Sequence, residues 1–181
     1  MSSNGVFLTG SGVSDDHSGR DWLGQQLHFV TSVWTPSGTR AEGALVQALR
    51  GGRAFFSDPA RFRRTIDLLG DGAAPMGSVM VSTATTRSVR VLGSGWPAGS
   101  TFQVVDGLVG YAQRHLARPA GAAEQHQRRV RVDVALAVDT RTSRFVRLVV
   151  RDASGQEVGL SNPVWLLRDQ PPGGIPAARE V

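Results

Sequence analysis

Ser14, Asp15, Asp16 and His17 follow one another in the chain and bring two carboxylates and an imidazole together. A carboxylate and a neutral imidazole are suitable ligands for Zn, Mn or Fe. Asp15 and His17 stand two positions apart, so on an extended backbone both face one side and Asp16 faces the other. A divalent metal held there lowers the pKa of a bound water to about 7 and makes a nucleophile for ester hydrolysis. Two donors fall short of the roughly three protein ligands a catalytic zinc needs, and His28, His115 and His126 form no H-x-H or H-x-x-x-H pair. The residues alone therefore leave a second reading open, in which Ser14, Asp15 and Asp16 cap a following helix and His17 is a loop residue. Ser14 and His17 lie too close in sequence to suggest a nucleophile–base pair. The T-G-S-G at 9–12 has no G-K-[ST] after it and is not a phosphate loop. His28 opens an apolar run and is assigned to packing, and Trp22 and Trp34, which flank this stretch, to a core or lid.

The elements around these residues alternate. Val6, Phe7 and Leu8 form a short apolar run that ends at Gly10 and Gly12, as a buried strand running into a loop does. That loop carries Asp15 and His17 at the strand-exit end, where ligands bind in α/β sheets and barrels. A helical turn is expected at 21–27 and an extended segment at 28–35, broken by Pro36-Ser37-Gly38. Thr39 and Glu42 have the spacing of a capping box, and Ala41, Ala44, Leu45, Ala48 and Leu49 recur with helical period before Gly51-Gly52. A short strand at 53–56 follows.

Beyond Pro59 the pattern changes to short β-rich runs at 62–69, 78–84, 88–92, 101–106, 108–111, 130–138, 144–151 and 157–167. Turn residues such as Gly70-Asp71-Gly72 and Asp152-Ala153-Ser154-Gly155 separate them. Val130, Val132, Val134, Leu136 and Val138 give one apolar face. Strands at this spacing without helices between them predict an antiparallel sandwich. The Ala-, Gln- and Arg-rich stretch 115–127 is expected to be a loop, and 169–181 a flexible tail. The expected fold class is α+β, mostly β, in three parts: an α/β piece over 1–60, a β-sandwich over 61–168, and the tail.

Composition narrows the function classes. The 181 residues contain no cysteine, which excludes disulfides, thiolate metal sites and a cysteine nucleophile. No apolar run reaches transmembrane length, and the N-terminus lacks a signal-peptide pattern. The net charge is +5, yet all twenty basic residues are arginine and they are dispersed. Without a charged face interleaved with aromatics, nucleic acid is not an expected partner. The compartment stays open.

The stretch V-F-L-T-G-S-G-V-S-D-D-H-S-G (6–19) resembles the last metal-ligand motif of the PHP (polymerase and histidinol phosphatase) metallohydrolases, in their CehA/McbA-like branch. A-L-V-Q-A-L-R-G-G-R-A-F-F (44–56) resembles the helix and strand that follow the motif in that branch, and G-L-S-N-P-V-W-L (159–166) the closing strand of its trailing β-domain. The resemblance implies that 1–60 supplies the last elements of a PHP-type (β/α) barrel, with Asp15 and His17 as metal ligands. It implies Zn, Mn or Fe as the cofactor of the complete enzyme and a small-molecule ester or phosphate ester as its substrate. Asp16 takes the variable position and inherits no role. The family's H-x-H motif, and the glutamate and histidines after it, lie upstream of this segment. The resemblance thus implies the C-terminal part of a metal-dependent hydrolase, inactive alone and dependent on the rest of the barrel, with exposed strand edges of its own. The alternative is a non-catalytic β-sandwich that binds a partner or ligand.

Overall fold

The computed structural model describes Phe7, Gly10 and residues 29–109, 118–119 and 131–180. They are mostly β, in two sheets, with one α-helix. The strands are β1 (Val30–Val33), β2 (Ala54–Ser57), β3 (Thr65–Gly70), β4 (Val79–Val81), β5 (Thr86–Ser94) and β6 (Thr101–Leu108). They continue with β7 (Arg118–Pro119), β8 (Arg131–Asp139), β9 (Arg144–Arg151), β10 (Glu157–Ser161) and β11 (Val164–Leu167), and the helix is α1 (Glu42–Arg50). One sheet has eight strands, in the order β1-β2-β10-β9-β11-β4 with β6 and β7 added along the other side of β9. The other has three, β3-β5-β8. Every pairing is antiparallel except β11 with β4.

Period-two alternation builds the interior. Ile66 and Leu68 of β3 and Val89 and Val91 of β5 turn inward and meet Phe102 and Val104 of β6 and Val146, Leu148 and Val150 of β9. Trp96 closes one end of this core, edge-on to Phe62 (5.8 Å) and Phe102 (5.9 Å). Its indole N–H is satisfied by the Thr65 carbonyl at 2.9 Å, which removes the penalty of burying a polar donor.

Several sequence expectations change here. The run 157–167 is two strands laid end to end along β9, interrupted at Asn162-Pro163 because proline has no N–H for a ladder. The Ser161 hydroxyl fills the interruption by accepting from the Leu148 N–H at 2.8 Å. The boundary expected near residue 60 falls inside a sheet, since β2 pairs with both β1 and β10. β1 and β2 are thus antiparallel strands of the sandwich; alternation of strand, helix and strand cannot distinguish a crossover from a hairpin-like return around a helix. The capping box is not made: α1 starts at Glu42 behind Ala41, and the Thr39 hydroxyl accepts from the Ala41 N–H at 3.3 Å instead. The Gly51-Gly52 stop stands, with Gly52 at φ 70° where a side chain would be strained. The expected tail is tied down: the Val79 N–H donates to the Arg179 carbonyl (2.8 Å), and Arg179 is buried. A guanidinium over an indole and a strand-like bridge, Val79 to Glu180, hold it. None of the helices among the described residues is long and apolar enough to cross a membrane.

Candidate functional site

Asp15 and His17 lie outside the described residues, as do Asp16, Trp22, His28, His115 and His126. What is described is where the stretch that leads to them is anchored. Phe7 stands edge-on to Trp165 of β11, with ring centroids 5.4 Å apart. Three residues later the Gly10 N–H donates to Asn162 Oδ1 at 2.8 Å. A Cβ at Gly10 would come within 2.9 Å of the Phe56 ring of β2, so this position admits glycine and little else without displacing the ring.

The anchor has a physical origin in β11. Its sequence, Val164-Trp165-Leu166-Leu167, is apolar at every position and buried at every position. Val164 and Leu166 join the interior, whereas Trp165 and Leu167 point to the opposite face of the sheet. There they form a second apolar cluster with Val79, Val109 and Phe145, against which Phe7, Val81 and Ile175 pack. A strand apolar on both faces needs cover on both, and the chain's two ends contribute to that cover.

Polar groups at this corner are buried. Asn162 is 1% exposed; its side-chain oxygen accepts from Gly10 and its backbone N–H donates to the Ala54 carbonyl (3.3 Å), while Nδ2 has no partner among the described residues. The Trp165 indole N–H is likewise buried without an acceptor among the described residues. The Arg179 guanidinium centre lies 5.5 Å from the Trp165 ring centre and donates to the Gly77 carbonyl at 3.2 Å. Burial lowers its pKa from the usual arginine value, and it remains a cation.

Among the described residues no group of three His, Cys, Asp or Glu side chains could hold a metal. Trp34, assigned from sequence to core or lid, instead spans the opening between the two sheets: its indole N–H donates to the Ile66 carbonyl of β3 at 3.0 Å. An Asn-Pro inside an apolar run is a recognisable break, although nothing local in it pairs Asn162 with Gly10.

No family model matches the chain, and no curated protein matches it.

Proposed function

We propose that the chain is the C-terminal portion of a PHP-type metal-dependent hydrolase acting on a small-molecule ester or phosphate ester. In this reading Asp15 and His17 are two of its metal ligands, and the β-sandwich is the platform on which the stretch bearing them is seated. The observation that carries the reading is that the three segments of family resemblance meet in space. Phe7 and Gly10 of the first touch Trp165 and Asn162 of the third. Phe56 of the second lies against Gly10 and pairs with Leu160 across β2 and β10. Segments that resemble one family in sequence order, and that also form one junction, support a common origin more than scattered resemblances would.

A second feature agrees. Val46 and Leu49 of α1 are exposed, and Ala48 is the helix's buried residue. Ala44 and Leu45 share the inner side with Ala48, and two apolar side chains left on the outer side are suited to contact with a further layer of protein, which the remainder of a barrel would provide. Asp15 and His17 suit Zn, Mn or Fe in donor chemistry but not in number, so the remaining ligands belong to that remainder. The metal, once bound by the full set, supplies Lewis acidity and an activated water.

The test begins with the reading frame upstream of Met1. An in-phase frame encoding an H-x-H motif is expected, and the extended protein should hydrolyse p-nitrophenyl phosphate or p-nitrophenyl acetate with Mn or Zn. Asp15→Ala and His17→Ala should each abolish that turnover, and the 181-residue chain alone should show none. Metal-dependent turnover by the short chain, lost in both variants, would overturn the division of the site between two parts. An extended protein that neither binds metal nor turns over would overturn the hydrolase reading. The non-catalytic sandwich then becomes the better account, and the cavity beside Trp34 is the observation in its favour.

A further inference from the structure

The two sheets of the sandwich part where β1 is the edge of one and β3 the edge of the other. Trp34 bridges this seam through its bond to the Ile66 carbonyl, leans on Phe55 with ring centroids 6.4 Å apart, and keeps 39% of its surface exposed. Beneath it is a cavity of about 420 Å³, with Val30, Val33, Trp34, Phe55 and Phe62 as its apolar wall. That size is in the range of small-molecule pockets. Two further hollows, of about 310 and 220 Å³, also border Trp34.

Polar groups also line this cavity, and of these the Thr65 hydroxyl is taken by the Ser94 hydroxyl at 2.7 Å. Arg63 and Arg64, consecutive in the chain and both exposed, line it. The Arg63 Nε donates to the Pro59 carbonyl at 2.5 Å, which fixes the stem and leaves the terminal nitrogens. Neither arginine has a carboxylate partner among the described residues. Arg87, Arg90, Arg141, Arg144 and Arg151, elsewhere in the sandwich, each hold one. Ser57 also lines the cavity and is 3% exposed. An aromatic wall and two arginines without carboxylate partners among the described residues, at one cavity, are complementary to a flat apolar body carrying an anionic group.

We propose that this seam is a binding site for a small aryl carboxylate, its ring against Trp34 and Phe55 and its carboxylate on Arg63 and Arg64. Aromatic rings suit the wall better than a flexible chain, because they cover it with little loss of rotamer freedom. The site uses neither Asp15 nor His17, so it stands or falls apart from the hydrolase reading.

The probe is 2-naphthoate, titrated into the full chain by calorimetry, with 2-naphthalenemethanol as the neutral analogue and 2-naphthyl phosphate as the alternative anion. Saturable binding of naphthoate is expected, about tenfold tighter than the alcohol and weakening with salt. The double variant Arg63→Gln/Arg64→Gln should bring naphthoate down to the affinity of the alcohol without moving the melting midpoint. Trp34→Ala should weaken both probes, and Trp34→Phe should restore most of the affinity if the alanine variant folds poorly. Equal affinity of acid and alcohol, or naphthoate binding unchanged in the arginine variant, would overturn the proposal, as would no saturable binding of any probe. Tighter binding of the phosphate than of the carboxylate would overturn the assignment to carboxylates.

Discussion

The two faces of β11 are covered by different means. Inward, Val164 and Leu166 meet residues that alternate along whole strands, so the interior is built from many repeats of one rule. Outward, Trp165 and Leu167 lie beside Val79 and Phe145 of the neighbouring strands and are covered by single residues from other parts of the chain, Phe7, Val109 and Ile175. The interior is cooperative, because each strand contributes several side chains and losing one disturbs many contacts. The outer cluster is expected to act as a junction, from which a segment detaches while the sandwich survives. The stretch leading to Asp15 and His17 is attached at the junction.

The largest expected effect lies inside. Leu148 of β9 is fully buried in the interior, and Leu148→Ala should destabilise by about 3–4 kcal/mol through lost transfer energy and the cavity left behind. Chemical denaturation should show a single transition with a lower midpoint. Loss of less than about 1 kcal/mol would mean that the interior can collapse around the gap and is not the close-packed core described.

Gly77→Ala comes next. Gly77 has φ 90°, a conformation that strains any side chain, and a Cβ there would overlap the Gly51 carbonyl oxygen at the end of α1. Backbone on both sides of the clash cannot turn aside as a side chain would. A loss of about 2–3 kcal/mol is expected, partly strain and partly displacement of α1. Hydrogen exchange should show faster exchange at Gly51 and Gly52, whose N–H groups close the helix. Unchanged protection there would show that the helix end and β4 are not in contact.

Phe7→Ala should be smaller and local. The ring is only partly buried, so about 1–2 kcal/mol is expected for its area and its edge-on contact with Trp165. The comparison predicts a split: the Gly10 amide, now bonded to Asn162, should exchange faster, and the Leu148 amide, bonded to Ser161, should not. Asn162→Ala should produce the same split by removing the acceptor directly. If both amides respond equally, the outer cluster is part of one cooperative unit and the junction idea fails.

The same difference explains what the sequence discloses. The alternation in Thr65–Gly70 and Thr86–Ser94 can be read because one side chain in two is apolar and the period is fixed. The Gly51-Gly52 stop can be read because left-handed backbone requires a residue without Cβ. Pairing partners are another matter: nothing local in Ala54–Ser57 tells that it lies between β1 and β10, so the first sixty residues suggest a barrel unit while two of their strands extend the sandwich. The Phe7–Trp165 and Gly10–Asn162 contacts span more than 150 positions and leave no periodic trace. Trp34 offers only its identity; that it bridges the sheets depends on where β3 passes.

The smallest effect concerns a strand whose two faces also differ. Asp67 lies between Ile66 and Leu68, on the outward face of β3 beside Trp34, and burial raises its carboxyl pKa above the ordinary aspartate value. The Leu68 N–H, donating to Oδ1 at 2.9 Å, opposes this but does not cancel it. A raised carboxyl pKa means that the folded chain holds this proton to higher pH than the unfolded chain does. Stability from this group is therefore greatest in acid and declines as pH rises through the window from the ordinary aspartate value to the raised one. Asp67→Asn keeps an oxygen for the Leu68 N–H and removes the charge, so it should melt higher than the parent at neutral pH, with the gap closing toward about pH 3. Asp152 is the opposite case, its carboxyl held low by the Ser154 hydroxyl and by the backbone N–H groups of Gln156 and Ser154. Asp152→Asn should melt lower than the parent at neutral pH, and that gap too should close in acid. Paired melts across pH measure both signs in one series. A gap of the same sign for the two variants would mean that the half-buried face of β3 solvates its carboxylate as well as the Asp152 turn does, and that the seam beside Trp34 is wetter than its lining residues imply.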